Sequence, residues 1–175
     1  TVVFPAKTMI AAAMNPCKCG FFPDLGRCRC TPTQIRRYLN RVSGPFLDRI
    51  DIGVEVPRQD LGMMAAEQRN SSAVMRARVM EARARQEKRF ADESISYNSQ
   101  MTRRQIEEYC RLSGEDAVFL EKVERQQGIS ARGHGKILKV ARTLADLDGQ
   151  ADIGRTQLAE AIGFRSFEKK YWGSL

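Results

Sequence analysis

Residues 8–30 read TMIAAAMNPCKCGFFPDLGRCRC, an apolar run that ends in Asn15-Pro16 and passes at once into four cysteines. A continuous apolar run of strand length, stopped by a residue that the following proline pushes out of helical geometry, predicts a strand buried on both faces, as inside a parallel sheet. A second run, DRIDIGVEVP, alternates Ile50, Ile52, Val54 and Val56 with Asp51, Gly53 and Glu55 before Pro57. That alternation predicts a half-exposed strand at a sheet edge.

Between the two, TPTQIRRYLNRVSG predicts a helix with Thr31 as N-cap, Pro32 at its first position and Ser43-Gly44-Pro45 as its stop. After Pro57 helices take over. In NSSAVMRARVMEARARQEKRF, Met75, Val79, Ala82, Gln86 and Phe90 fall on one stripe at helical spacing. TRRQIEEYCRL, SGEDAVFLEKVERQQG and GRTQLAEAIGF give shorter helices. SARGHGKILKVARTLADLDG gives a longer one, with Ile137, Ala141 and Leu144 inward and Asp148-Gly149 ending it. The expected architecture is an α/β piece over residues 1–60 joined to an all-helical piece over 61–175.

The spacing C-x-C-x8-C-x-C, formed by Cys17, Cys19, Cys28 and Cys30, suits a four-thiolate zinc site on a short Gly/Pro/Asp-rich loop. With no open coordination position its role would be structural, and Lys18, Arg27 and Arg29 would offset the thiolate charge. The alternative is a loop of reduced thiols that merely pack. Cys110 stands alone in a helical pattern, so the five cysteines do not form a secreted disulfide framework.

The 175 residues carry a net charge of +8, which favours anionic partners such as nucleotides or nucleic acid. Residues 69–89 concentrate it, with Arg76, Arg78, Arg83, Arg85 and Lys88 against Glu81 and Glu87. They form either a nucleic-acid contact, with Arg76 and Arg83 as its centre, or a solvated helix face. No apolar run approaches the roughly 20 residues of a membrane span, and a soluble cytoplasmic protein is expected.

Two arginines invite a phosphate. Arg49 follows a Ser-Gly-Pro turn at the mouth of the edge strand; it either pairs locally with Asp48 or Asp51 or is aimed at a phosphate of a neighbouring subunit. Helix N-termini favour acids, yet Ser130 is followed by Arg132, His134 and Lys136 with no acid in the first turns. Such a terminus suits an anion, or else carries solvated basic groups. His134 has a surface or cap role. The P-loop pattern is absent: GHGKIL has Gly135-Lys136 but Ser130 stands at the first glycine and Ile137 follows the lysine. No apolar strand ends in paired acids to hold magnesium. The chain by itself is not a complete nucleotide hydrolase.

Four separated blocks, AAAMNPCKCG…CRCTPTQIRRYLNRVSGPFLDRIDIGVEVP, SSAVMRARVMEARARQ and ISARGHGKILKVARTLADL among them, resemble the Mg-chelatase-like AAA+ ATPases of the bacterial competence type (ComM-like), and match their C-terminal half. The resemblance implies two strands, a helix and a Cys-rich insert at 17–30 from the end of a AAA+ P-loop core, then a helical lid. It implies Asn15 as the sensor 1 residue that orients the attacking water. Arg49 matches the arginine finger reaching ATP on the adjacent protomer, and Arg132 the sensor 2 arginine touching phosphates in its own. ATP and Mg2+ would be held largely by Walker elements not found in this sequence. The implied whole is a ring, a hexamer by analogy, that remodels DNA by branch migration or helicase-like work in recombination or transformation. The other expectations are a zinc-stapled nucleic-acid-binding module with no ATP role, and a motor for loading magnesium into a porphyrin.

Overall fold

The computed structural model describes residues 2–3, 8–56 and 71–173. Pro57 and Arg69 lie outside these residues. The described chain is helical: α1 Pro32–Leu39, α2 Gly44–Leu47, α3 Ser72–Arg89, a 3-10 turn Asn98–Gln100, α4 Arg103–Tyr109, α5 Gly114–Gln127, α6 Ala131–Leu147, α7 Arg155–Gly163 and α8 Ser166–Trp172. None of these helices is long and apolar enough to cross a membrane.

Local sequence explains where most helices start. Thr31, Ser43, Ser71, Thr102, Ser113 and Ser130 each accept a backbone N–H of the first turn, satisfying a donor the helix cannot satisfy itself. At Thr31 the side chain of Gln34 returns the bond to the cap N–H, closing a capping box. Ser43-Gly44-Pro45, expected only to stop α1, caps and opens α2.

The two expected strands do not form among the described residues. Residues 8–15 have no regular structure, and Met9 and Ile10 are 92% and 70% exposed. Residues 52–56 likewise lack a ladder. A strand needs a neighbour for its N–H and C=O groups, and neither run lies beside another.

The main core is built on α6. Ile137, Leu138, Ala141 and Ala145 are buried along it, and the first three cluster with Leu158, Ala161 and Ile162 of α7, Leu120 of α5, and Phe90 and Met101. Fully burying an Ile or Leu side chain contributes roughly 1.5–3 kcal/mol, so this helix dominates the fold. The stripe on α3 is only half used: Ala82, Gln86 and Phe90 are buried, whereas Met75 and Val79 are exposed because the first half of the helix projects beyond the bundle. A second, smaller core joins Cys17, Ile35 and Leu39 with Phe22, Tyr38, Tyr171 and Trp172.

A buried polar network pins α3 to α6. Asp146, 0% exposed, pairs with Arg89 and with Arg142 at 3.2 Å and accepts from Asn98 Nδ2 at 2.8 Å. Arg142 also donates to the carbonyls of Ala151 and Gln150 at 2.7 and 2.8 Å. Burial alone would raise the Asp146 carboxyl, but Arg89, Asn98 and Arg142 hold it below the ordinary carboxylate range.

Candidate cysteine centre and the surroundings of the two arginines

The cysteine quartet converges. A tetrahedron with metal–sulfur bonds of about 2.3 Å has edges of about 3.8 Å, and Cys17–Cys19, Cys19–Cys28 and Cys17–Cys28 stand 3.4, 3.5 and 3.8 Å apart between Sγ atoms. All four Sγ atoms lie within 4.8 Å of one another. Turns set this up, as Gly20 N–H donates to the Cys17 carbonyl at 3.1 Å and Cys28 N–H to that of Asp24 at 2.8 Å. Gly20 takes φ 80°, a left-handed conformation suited to glycine, with the Asn15 side chain against it.

The electrostatics match the geometry. The backbone N–H of Phe21 donates to the Cys19 sulfur and, against desolvation and with help from the backbone N–H of Arg29, pulls that thiol down to about 6. Cys28 receives a backbone N–H from Cys30, but desolvation and the Cys19 and Cys17 sulfurs push it up to about 12. Cys17 is lowered along with Cys19, whereas Cys30 is raised along with Cys28, so two thiolates oppose any further ones and ionising the full set calls for a cation among the sulfurs. The donors present therefore fit a tetrahedral thiolate-loving ion, the chemistry of zinc.

The arginines sit elsewhere. Asn15 is exposed at the entrance to the cysteine loop. Arg49, exposed just past α2, donates from Nη1 to the Pro45 carbonyl at 2.7 Å. Neither of its expected acidic partners turns to it. Asp48 instead accepts from Ser130 Oγ and from Arg132 Nη1, each at 3.1 Å, and lies 3.9 Å from Arg165. Asp51 pairs with Lys136 at 3.0 Å. An anion does occupy the start of α6, and it is a carboxylate of the chain itself. His134 pairs with Glu124 at 2.7 Å, as suits a surface role. Arg132, His134, Lys136 and Asp51 border a cleft of about 1070 Å³ over α4 and α6.

These contacts bind residues 48–55 along the first turns of α6 and onto α8. Arg165 Nη1 donates to the Ile50 carbonyl at 2.9 Å, Gly53 N–H to that of Phe164 at 2.9 Å, and Lys170 pairs with Glu55 at 2.7 Å. A Cβ at Gly53 would stand 2.2 Å from the Phe167 ring. Gly133, awkward for a helix, is explained the same way, since a Cβ there would stand 2.7 Å from Ile129.

On α3 the basic residues divide. Arg76 and Arg78 are exposed on the projecting half, whereas Arg83 stacks over Tyr97 at 4.9 Å and Arg85 donates to the Asp146 carbonyl at 2.9 Å. Sequence reasoning missed Asp48 as the partner of Arg132, and it missed α8 with Tyr171 and Trp172 beside the cysteine loop; the aromatic pair at the end of the sequence was the available signal.

Residues 69–165 match the family described as magnesium chelatase, subunit ChlI C-terminal, and residues 1–64 match magnesium chelatase, subunit ChlI. The chain is 41% identical over 167 residues to competence protein ComM of Haemophilus influenzae, covering 94% of this chain and 32% of that protein. It is 40% identical over 170 residues to the uncharacterised YifB of Escherichia coli, covering 96% and 33%. An uncharacterised protein of Mycobacterium tuberculosis is 32% identical over 162 residues, covering 93% and 32%. The chain thus spans about a third of the length of these relatives. With both parts matched in order, the chain belongs to the magnesium chelatase ChlI family, in its ComM- and YifB-like form.

Proposed function

We propose that this chain is the sensor, arginine-finger and lid portion of a ring-forming AAA+ ATPase, hexameric by analogy, that couples ATP hydrolysis to DNA remodelling. The observation that supports it best is the junction at Asp48: it ties Arg132 at the head of α6 to the segment that carries Arg49, while Arg49 stays exposed. Two guanidinium groups, one on the lid and one exposed past α2, are what stabilisation of phosphoryl charge from both sides of a subunit interface requires. In this reading ATP and Mg2+ are bound mainly by parts of the whole protein outside this chain. Asn15 orients the attacking water, and Cys17, Cys19, Cys28 and Cys30 hold a structural Zn2+.

Replacing Arg49 by Ala in the whole protein tests this. ATP turnover falls by orders of magnitude with nucleotide binding retained; unchanged turnover removes the finger role.

A second reading, a nucleic-acid-binding module with no ATP role, is favoured by one feature. Arg76 and Arg78 stand exposed on the projecting half of α3. It predicts DNA binding by this chain alone that weakens steeply with salt and is lost on changing Arg76 and Arg83. Absence of binding at low salt ends it.

A further inference from the structure

Four cysteines could close a loop and do nothing else, but here they form one wall of a core. Cys17, fully buried, packs with Ile35 and Leu39 of α1, and the partly buried Cys19, Cys28 and Cys30 line the same cluster. The opposite wall comes from the far end of the sequence. Phe22, between the two cysteine pairs, meets Tyr171 edge-on at 6.0 Å between ring centroids, and Trp172 Nε1 donates to the Leu39 carbonyl at 3.1 Å. Tyr171 and Trp172 in turn contact each other edge-on at 6.2 Å.

Among the described residues this core has three buried apolar side chains, too few to order a loop on their own. Elements of this size depend on a metal, because binding free energy becomes folding free energy. Phe22 sits in the loop whose ends are the metal ligands, so its position follows from theirs.

We propose that the docking of α8 onto the cysteine loop depends on zinc held by Cys17, Cys19, Cys28 and Cys30, with Phe22, Tyr171 and Trp172 transmitting the coupling. The proposal rests on the zinc reading above and goes beyond it: the metal then governs where the C-terminal helix lies. Because α8 and the residue that precedes it also hold residues 50–55, through Lys170 and Arg165, the site reaches the segment next to Arg49. Coupling of this kind is reciprocal, so docking of α8 strengthens zinc binding by the same factor by which zinc strengthens docking.

Trp172 is the single tryptophan of the chain, so its fluorescence reports on α8 directly. The 175-residue chain is loaded with zinc, its metal content measured, and the metal then withdrawn with a chelator and returned. The expected result is one zinc per chain. Its removal shifts Trp172 emission to the red and raises acrylamide quenching several-fold, and both recover on adding zinc. One zinc per chain with Trp172 unmoved on its removal overturns the coupling and leaves the zinc reading standing. No retained zinc, and none taken up, overturns the zinc reading itself. Tyr171→Ala supplies a test that leaves every ligand in place: zinc affinity is expected to fall about tenfold, and an unchanged affinity overturns the coupling.

Discussion

Asp48 and Arg132, 84 positions apart in sequence, meet through a 3.1 Å contact between Oδ2 and Nη1. Arg132 is 60% and Asp48 30% exposed at this pair, so its contribution to stability is under about 1 kcal/mol. Its greater effect is on ligands. On the proposed reading, the carboxylate occupies the guanidinium that a phosphate would use, and both are negative. Asp48→Asn in the whole protein is therefore expected to tighten ATP binding several-fold while changing the melting temperature little. Weaker ATP binding in that variant would mean that Asp48 aligns Arg132 instead of competing for it.

Asp146 gives a larger effect because it has no water to fall back on. Removing one member of a buried ion pair leaves the others uncompensated, at a cost of about 3–5 kcal/mol, so Asp146→Ala is expected to destabilise the helical part by that order in denaturant melts. The pH dependence has a definite sign. The folded carboxyl lies below its ordinary value, so its stabilisation is fully present above an unfolded pKa of about 3.9 and is lost as pH falls through the folded value. The stability gap between the parent chain and Asp146→Asn should therefore narrow below about pH 4.

The helices were legible in the sequence because their signals are local. Thr31 and Ser130 cap where they were expected to, and Ile137 and Ala141 face inward as their spacing requires. The cysteine quartet was legible for the same reason, its ligand pairs being close in sequence. What could not be read depends on partners far apart. The apolar run at 9–14 carries every mark of a strand yet has no neighbour with which to pair among the described residues. The buried network around Asp146 joins α3, the 3-10 turn and α6, and nothing in VARTLADL distinguishes its aspartate from a solvated one. Asp48 looked like a companion for Arg49, its neighbour in sequence; folding delivers it to Arg132. Helix α8 was overlooked since SFEKKYW is short and has no side-chain cap.

Gly53 is a position where space decides. An added methyl would meet the Phe167 ring at 2.2 Å, and overpacking of this kind costs typically about 1–3 kcal/mol. Gly53→Ala is expected to loosen residues 50–55, read as faster proteolytic cleavage there together with a lower melting temperature. Combining it with Phe167→Ala, which opens the space, should give less than the sum of the two single effects. Strict additivity would place the clash elsewhere.

Cys110 should behave unlike the other four cysteines. It is buried beneath α6, and desolvation pushes its thiol up to about 11. Since the thiolate is the reactive form, a disulfide reagent at neutral pH is expected to leave Cys110 unmodified in the folded chain and to label it once denaturant is added. Rapid labelling under native conditions, mapped to Cys110, would show that the α4–α6 packing opens readily.

The two hydrophobic clusters, one around α6 and one around the cysteine loop, have no buried side chain in common among the described residues. What joins them is the α7–α8 turn and the polar clasp of residues 48–55. Cooperativity in unfolding comes from shared packing, and where packing is divided so is the transition. Calorimetry of this chain would then show two melting events in place of one, the smaller belonging to the cysteine-loop cluster, and a melting temperature taken from one optical probe would describe whichever half that probe happens to watch.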